Sequence, residues 1–218
     1  MASLRNGNPY VWPSWITKII TGEESCQWKT WFKSHHTYDK APSDFDQADW
    51  VTRHTTLLRS RADELRDEGY QVFVEDQNSF RIEGNNGAVI SGKPDIVAIR
   101  GQDICIVDCK TGKEKPSDKI QVLIYMLLLP LSEAYKEKFR GAQIRGEIQY
   151  QHYRAGILTE QVNDEFRTVF RNAMNMAAMT NPPHKVPSFG ECKYCDITAK
   201  DCPERVENGY SMGKTDIF

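Results

Sequence analysis

Residues 92–125 read GKPDIVAIRGQDICIVDCKTGKEKPSDKIQVLIY, apolar strand sequence interrupted by charges at Asp95, Asp108 and Lys110. The segment 104–108, Ile-Cys-Ile-Val-Asp, reads as a buried strand. Strand side chains alternate between faces, so Asp108 and Lys110 share one face and Cys109 takes the other. Burying a carboxylate or an ammonium is costly unless it is paired or holds a metal. An isolated Asp-x-Lys is most simply a structural ion pair at a strand end, but the surrounding sequence adds to it. Gly92-x-x-Asp95 opens the preceding strand, which ends in a tight turn at Arg100-Gly101-Gln102-Asp103. The two strands are then antiparallel neighbours, and Asp95 can stand beside Asp108. Adjacent carboxylates repel, and a divalent cation bound between them by oxygen ligands removes the repulsion. Downstream, Ser117 reads as the N-cap, after Pro116, of a helix that Pro130 follows. Gln121 and Tyr125, four apart, project from one face of that helix.

In order and spacing, Gly92-x-x-Asp95, Asp108-x-Lys110 and Gln121-x-x-x-Tyr125 resemble the motifs of the PD-(D/E)XK nucleases, in particular the RecB-like branch. Pro94-Asp95 supplies the literal PD. The resemblance implies an α/β fold with a restriction-endonuclease-like core, a central mixed β-sheet flanked by helices. It implies a DNA nuclease in which Asp95 and Asp108 hold Mn²⁺ or Mg²⁺, with the Cys109 carbonyl as a further ligand. Lys110 then stands near the attacking water, while Gln121 and Tyr125 shape the site and contact nucleic acid. This fits phosphodiester hydrolysis, in which a metal stabilises charge on the phosphate and acidifies bound water, and a lysine orients the nucleophile.

At 218 residues the chain suits one domain, or one with appendages. Hydrophobic residues make up 39% and charged residues 27%, with a net charge of −2, so no global basic signature announces nucleic acid. A local groove can steer phosphate regardless of net charge, which leaves that partner open. With no run of about 18 apolar residues, and no apolar core near the start of the kind a signal peptide needs, a cytosolic chain with no membrane span is expected. In a reducing compartment the six cysteines are expected as free thiols or metal ligands. No Walker-type glycine loop is present, so the chain carries no motor of its own.

Residues 1–13 read as an extended arm, followed by a short helix from Ser14 that Gly22 stops. After Cys26, Trp28, Trp31 and Phe32 form an aromatic stripe best explained by packing, with His35 and His36 as surface residues. Over 46–68 a 3.6-residue period places Trp50, Val51, His54, Leu57, Leu58, Ala62 and Leu65 on one face, and Gly69 ends the helix. Taken alone, an inward histidine is a core residue. The RecB-like branch carries a cation-binding helical histidine ahead of its GxxD strand, so the resemblance implies His54 as a ligand, for which a neutral imidazole is suited. Segments 70–75, 80–83 and 88–90 read as a meander feeding the site strands. An amphipathic segment spans 131–139, a hairpin of 147–154 and 157–162 turns at Ala155-Gly156, and a helix covers 164–179.

Cys192-x2-Cys195-x6-Cys202 is a metal-ligand spacing, one ligand short of four. Cys26 is the candidate fourth, because Cys105 and Cys109 lie in strand sequence. Iron–sulfur members of the RecB-like branch, the AddB-type helicase–nucleases and the CRISPR-associated RecB-like exonucleases, place one cysteine before the nuclease core and three after it. The resemblance therefore implies a [4Fe–4S] cluster on Cys26, Cys192, Cys195 and Cys202, with zinc as the lesser alternative and no metal as a further one. The implied organisation is an N-terminal helical segment (1–45) carrying the first cluster cysteine, a nuclease core (46–162), and a C-terminal helix with the remaining cysteines (163–218). The two ends are joined at the cluster. The implied activity is single-stranded DNA exonuclease action in CRISPR adaptation or in DNA repair and recombination, with Cas integrase proteins or a recombination complex as partners. The competing class, a non-catalytic DNA-binding or scaffold subunit, has little use for Asp95, Asp108 and Lys110 held so close.

Overall fold

The alternating and helical patterns fold around one five-stranded sheet. In a computed structural model, which describes residues 2–209, short strands β1 (Ser3–Leu4) and β2 (Tyr10–Val11) precede helices α1 (Pro13–Thr21) and α2 (Gln27–His35). Strand β3 (His36–Thr37), the long helix α3 (Gln47–Asp67) and strands β4 (Gln71–Val74), β5 (Phe80–Glu83), β6 (Val89–Gly92), β7 (Ile96–Arg100) and β8 (Asp103–Lys110) follow. Helix α4 (Pro116–Leu128), strands β9 (Gln143–Tyr150) and β10 (Arg154–Ile157), α5 (Asp164–Ala177) and the single turn α6 (Phe189–Cys192) complete the chain. The central sheet has the order β10-β9-β8-β7-β4, with β8 and β9 parallel and the other pairs antiparallel. A mixed sheet flanked by helices is thus the architecture, as the motifs imply.

Strand alternation sorts β8 into two cores. Ile104 and Ile106 pack with Val122, Leu123 and Ile124 of α4, whereas Cys105, Val107 and Cys109 pack with Leu58, Ala62 and Leu65 of α3. Helix α4 lies close on β9 because Gly146 leaves space: a Cβ there would sit 2.6 Å from Val122 Cγ1 and 2.7 Å from Met126 Sδ. The end segments share the α4-side core, Val11 and Ile16 from one end and Phe166, Met174 and Ala177 from the other. Residues 210–218 of the C-terminal segment lie outside the described residues.

Several local expectations are corrected. The meander is split: β5 and β6 join β2 in a separate three-stranded sheet, and β4 crosses to the edge strand position beside β7. Alternation identifies a strand but does not choose its neighbour. The last hairpin turns at 151–153, with Tyr150 and Tyr153 stacked at 4.6 Å, and Ala155-Gly156 falls inside β10. The amphipathic segment takes the form of turns over 132–139, pinned where Tyr135 donates to Asn78 Oδ1 at 2.9 Å. Helix α4 starts at Pro116, not after a Ser117 cap: the Lys115 N–H donates to Asp118 at 3.0 Å, while Ser117 gives its N–H and hydroxyl to Glu23. Val51 is exposed on α3, since the buried line runs through His54, Leu58, Arg61, Ala62 and Leu65. His35 and His36 are half-buried, stacked on Trp31 and Phe32 respectively. Among the described residues no helix is long and apolar enough to cross a membrane.

Candidate active site

The register of β7 on β8 ends at the pair Ile96 and Val107, so Asp95 and Asp108 stand one step beyond it on neighbouring segments. Helix α3 brings His54 to the same end of the sheet from one side, and α4 brings Gln121 from the other. His54 Nε2 lies 3.2 Å from Asp95 Oδ2, and the Cys109 N–H donates to that same oxygen at 2.6 Å. Lys110 Nζ is 2.7 Å from Asp108 Oδ2. Gln121 bridges the pair, donating from Nε2 to Asp108 Oδ1 at 3.1 Å and accepting from Lys110 at Oε1 at 3.0 Å. His54, Asp95, Asp108, Cys109, Lys110 and Gln121 line one cleft of about 670 Å³.

Tyr125 is placed differently from the expectation that it touches nucleic acid. It is buried, packs edge-on against Phe80, and its hydroxyl accepts from Gln121 Nε2 at 2.9 Å. Its hold on the site runs through Gln121.

Charge at the site is strongly interdependent. Burial raises the Asp108 carboxyl; Lys110 opposes the rise and Asp95 adds to it. Burial alone would lower the Lys110 ammonium, but the charge and hydrogen bond of Asp108 outweigh it and the net direction is upward. The hydrogen bond to Asp95 raises His54 against its burial. Asp108 is almost wholly buried, and the Lys110 ammonium 2.7 Å away is the polar partner of its Oδ2.

Residues outside the motifs also line the cleft, among them Phe45, Trp50, Glu75, Lys93, Lys113 and Lys115. Glu75 is non-glycine with φ at +46°, a sparsely populated conformation of the kind that gathers at functional sites. Phe45 was discoverable: it precedes the Asp46 cap of α3 and contacts Trp50, the spacing of a hydrophobic staple. Glu75 and Lys93 give no periodic signal, since both lie outside the strands.

The six cysteines are free thiols. Cys26, Cys192, Cys195 and Cys202 line one pocket with Trp28 and Ile197, while Cys105 and Cys109 are buried in the sheet. Among the described residues, no three His, Cys, Asp or Glu side chains are arranged as a metal-holding group, at this pocket or in the cleft. The protein's own hydrogen bonds account for part of this in the cleft, where Asp95 Oδ2 is taken by His54 and Cys109.

No curated protein matches the chain. Among solved structures, SSO0001 superposes with a TM-score of 0.50 at 18% identity, covering 94% of this chain and 90% of that one. The alkaline exonuclease LHK-Exo from Laribacter hongkongensis superposes with a TM-score of 0.44 at 13% identity, covering 77% of this chain and 87% of that one. The family model of the PD-(D/E)XK nuclease superfamily matches residues 19–200. That span takes in α3, the β7–β8 hairpin and α4, and the chain belongs to the PD-(D/E)XK nuclease superfamily.

Proposed function

We propose that this chain is a divalent-cation-dependent deoxyribonuclease that hydrolyses phosphodiester bonds at the ends of single-stranded DNA. The supporting observation is the buried Asp108 carboxylate, paired with Lys110, in a cleft shared with Asp95 and His54. Superfamily members typically work with Mg²⁺ or Mn²⁺. The donor set here, two carboxylates and an imidazole, fits such an ion, and Asp95, Asp108 and His54 would hold it. Once bound, the cation supplies charge neutralisation at the phosphate and a lower pKa for the attacking water.

The chain's own residues do the rest. Lys110, paired with Asp108 at 2.7 Å, is placed to orient the water or to donate to a phosphate oxygen. Gln121 hydrogen-bonds both Lys110 and Asp108, and Tyr125 fixes Gln121 from behind. With both partners preplaced, little reorganisation is needed as charge develops on the phosphate.

Cleavage of end-labelled single strands with Mn²⁺ tests the assignment. Asp108→Ala and Lys110→Ala should each lose about 100-fold or more in rate, the scale of removing a preorganised stabilising group. EDTA should abolish cleavage and Mn²⁺ restore it. Equal rates in wild type and both variants would remove the assigned site.

The same reading gives Cys26, Cys192, Cys195 and Cys202 a structural [4Fe–4S] cluster, zinc being the lesser alternative. Support comes from four thiols on one pocket whose walls include Trp28 and Ile197. A cluster there supplies a covalent tie between segments about 165 residues apart, a loop whose closure is entropically expensive without one. Anaerobic purification decides it: brown protein with iron and acid-labile sulfide supports the cluster, and colourless protein with stoichiometric zinc refutes it. CRISPR adaptation, or repair and recombination, is the proposed setting, with Cas integrase proteins or a recombination complex as partners, and neighbouring genes distinguish the two.

A further inference from the structure

We infer that Phe45 and Trp50 form a base-stacking platform at the mouth of the cleft, which grips the unpaired end of a DNA strand and supplies a preference for single strands over duplex. The inference rests on the nuclease reading in that the strand so held is the one delivered to Asp95 and Asp108.

Phe45 is 60% exposed although it lines the cleft. Its ring lies 6.2 Å from Trp50, tilted by 54°, and Trp50 in turn stacks on the His54 imidazole at 4.9 Å and 25°. His54 contacts Asp95, so two aromatic steps lead from the solvent-facing lip to the carboxylates. The bland account is the hydrophobic staple of α3, Phe45 preceding the Asp46 cap and Trp50 sitting one turn inside. A staple needs only apolar contact, which leucine provides. It does not explain an aromatic face left open to solvent beside the reacting groups.

Cations line the same cleft. Lys113 and Lys115, both exposed, come from the loop after β8, and Lys93 comes from the Gly92–Asp95 segment, its exposed ion pair with Asp76 easily exchanged for a phosphate. Glu75 and Asp118 line the cleft as well, so its charge is mixed. An exposed ring in a cleft that lysines also line suits a nucleic acid strand: the base stacks and the backbone is neutralised. In a duplex both faces of each interior base are already covered, so a platform of this kind selects unpaired ends. Every base has a π-face, hence no sequence preference follows.

Binding without cutting provides the test. In EDTA, where no strand is cleaved, a fluorescein-labelled dT12 and a blunt hairpin duplex are titrated with wild type, Phe45→Leu and Phe45→Tyr. Phe45→Leu keeps the staple and should weaken dT12 binding by about tenfold, the scale of one lost base–aromatic stack, with little change for the hairpin. Phe45→Tyr should bind dT12 like wild type. A 2-aminopurine at the strand end should be quenched by wild type and Phe45→Tyr and stay bright with Phe45→Leu, a signature that a purely structural staple does not move. Equal melting temperatures for the three proteins show that the fold is intact. Wild-type affinity and quenching in Phe45→Leu, or no dT12 binding by wild type, overturns the platform. Hydrolysis with Mn²⁺ is read separately: cutting that persists without stacking overturns this inference alone, and stacking without cutting overturns only the nuclease reading.

Discussion

Gly92 has no room for a side chain. A Cβ built there would lie 2.6 Å from both Phe80 Cε1 and Cζ and 3.0 Å from Tyr125 Cε1. The glycine of the Gly92-x-x-Asp95 motif therefore serves packing: it lets Phe80 and the edge-on Tyr125 close over the end of β6. Gly92→Ala must push one ring aside, at about 1–3 kcal/mol for overpacking. Because Tyr125 positions Gln121, and Gln121 positions Asp108 and Lys110, activity should fall beyond what lost folded fraction explains. Urea midpoints and cleavage rates measured at full folding separate the two effects, and a variant with wild-type turnover once folded would refute the link. At this scale Asp95, Asp108 and Lys110 were readable because charges inside apolar strand sequence need a reason to be there. Glu75 and Lys93 were not, since residues outside the strands break no pattern, whereas the place of Phe45 before the Asp46 cap could have drawn notice. The spacing of Gln121 and Tyr125 revealed a shared helix face but not that the β5–β6 sheet buries its far half.

A buried ion pair helps to seat helix α3 on the central sheet. Arg61, 3% exposed, donates from Nε to Glu147 Oε1 at 2.6 Å and from Nη2 to Oε2 at 3.0 Å, with Glu64 and Glu68 taking Nη1. Arg61 and His54 belong to the same buried line of α3, so the pair that seats the helix on β9 also aims the imidazole at Asp95. Breaking a buried pair leaves a charge without compensation and costs about 3–5 kcal/mol. Arg61→Met and Glu147→Met should each be destabilised on that scale, while the double variant, with no charge left inside, should recover most of the loss. Chemical denaturation of all four proteins checks this, and additive losses would show that the pair does not act as a unit. Element existence was legible from period and punctuation: Gly22 and Gly69 end their helices at positive φ, as their place in the pattern requires. Arg61 was missed because a count of apolar residues passes over a charge on the inward face. Strand partners were missed because β5 and β6 have the right alternation for either sheet.

At the scale of the whole chain, the two ends are bound to each other and not only to the core. The Ser25 N–H donates to Glu191 at 2.6 Å, Trp31 Nε1 to the Met179 carbonyl at 2.7 Å, and the Ala2 N–H to Asp201 at 3.1 Å. Asp196 gathers the most: Lys33 at 3.2 Å, the Tyr38 hydroxyl at 3.0 Å, and the Ala41 N–H on its carbonyl at 2.8 Å. Burial alone would raise its carboxyl, but the Lys33 charge and the hydrogen bonds from Lys33 and Tyr38 outweigh that and hold it low. The cysteine spacing hinted that these ends meet. The polar seam between them was beyond reading, because each partner lies more than 140 residues from the other and neither stands out locally. A seam of this kind should open as one cooperative unit. Asp196→Asn weakens the pair with Lys33 and should destabilise the seam by about 1–3 kcal/mol. In native-state hydrogen exchange, amides of residues 27–41 and 189–205 should lose protection together, while β7, β8 and β9 keep theirs. Faster exchange confined to one of the two end segments would mean that they open independently, and that the seam contributes no shared stability.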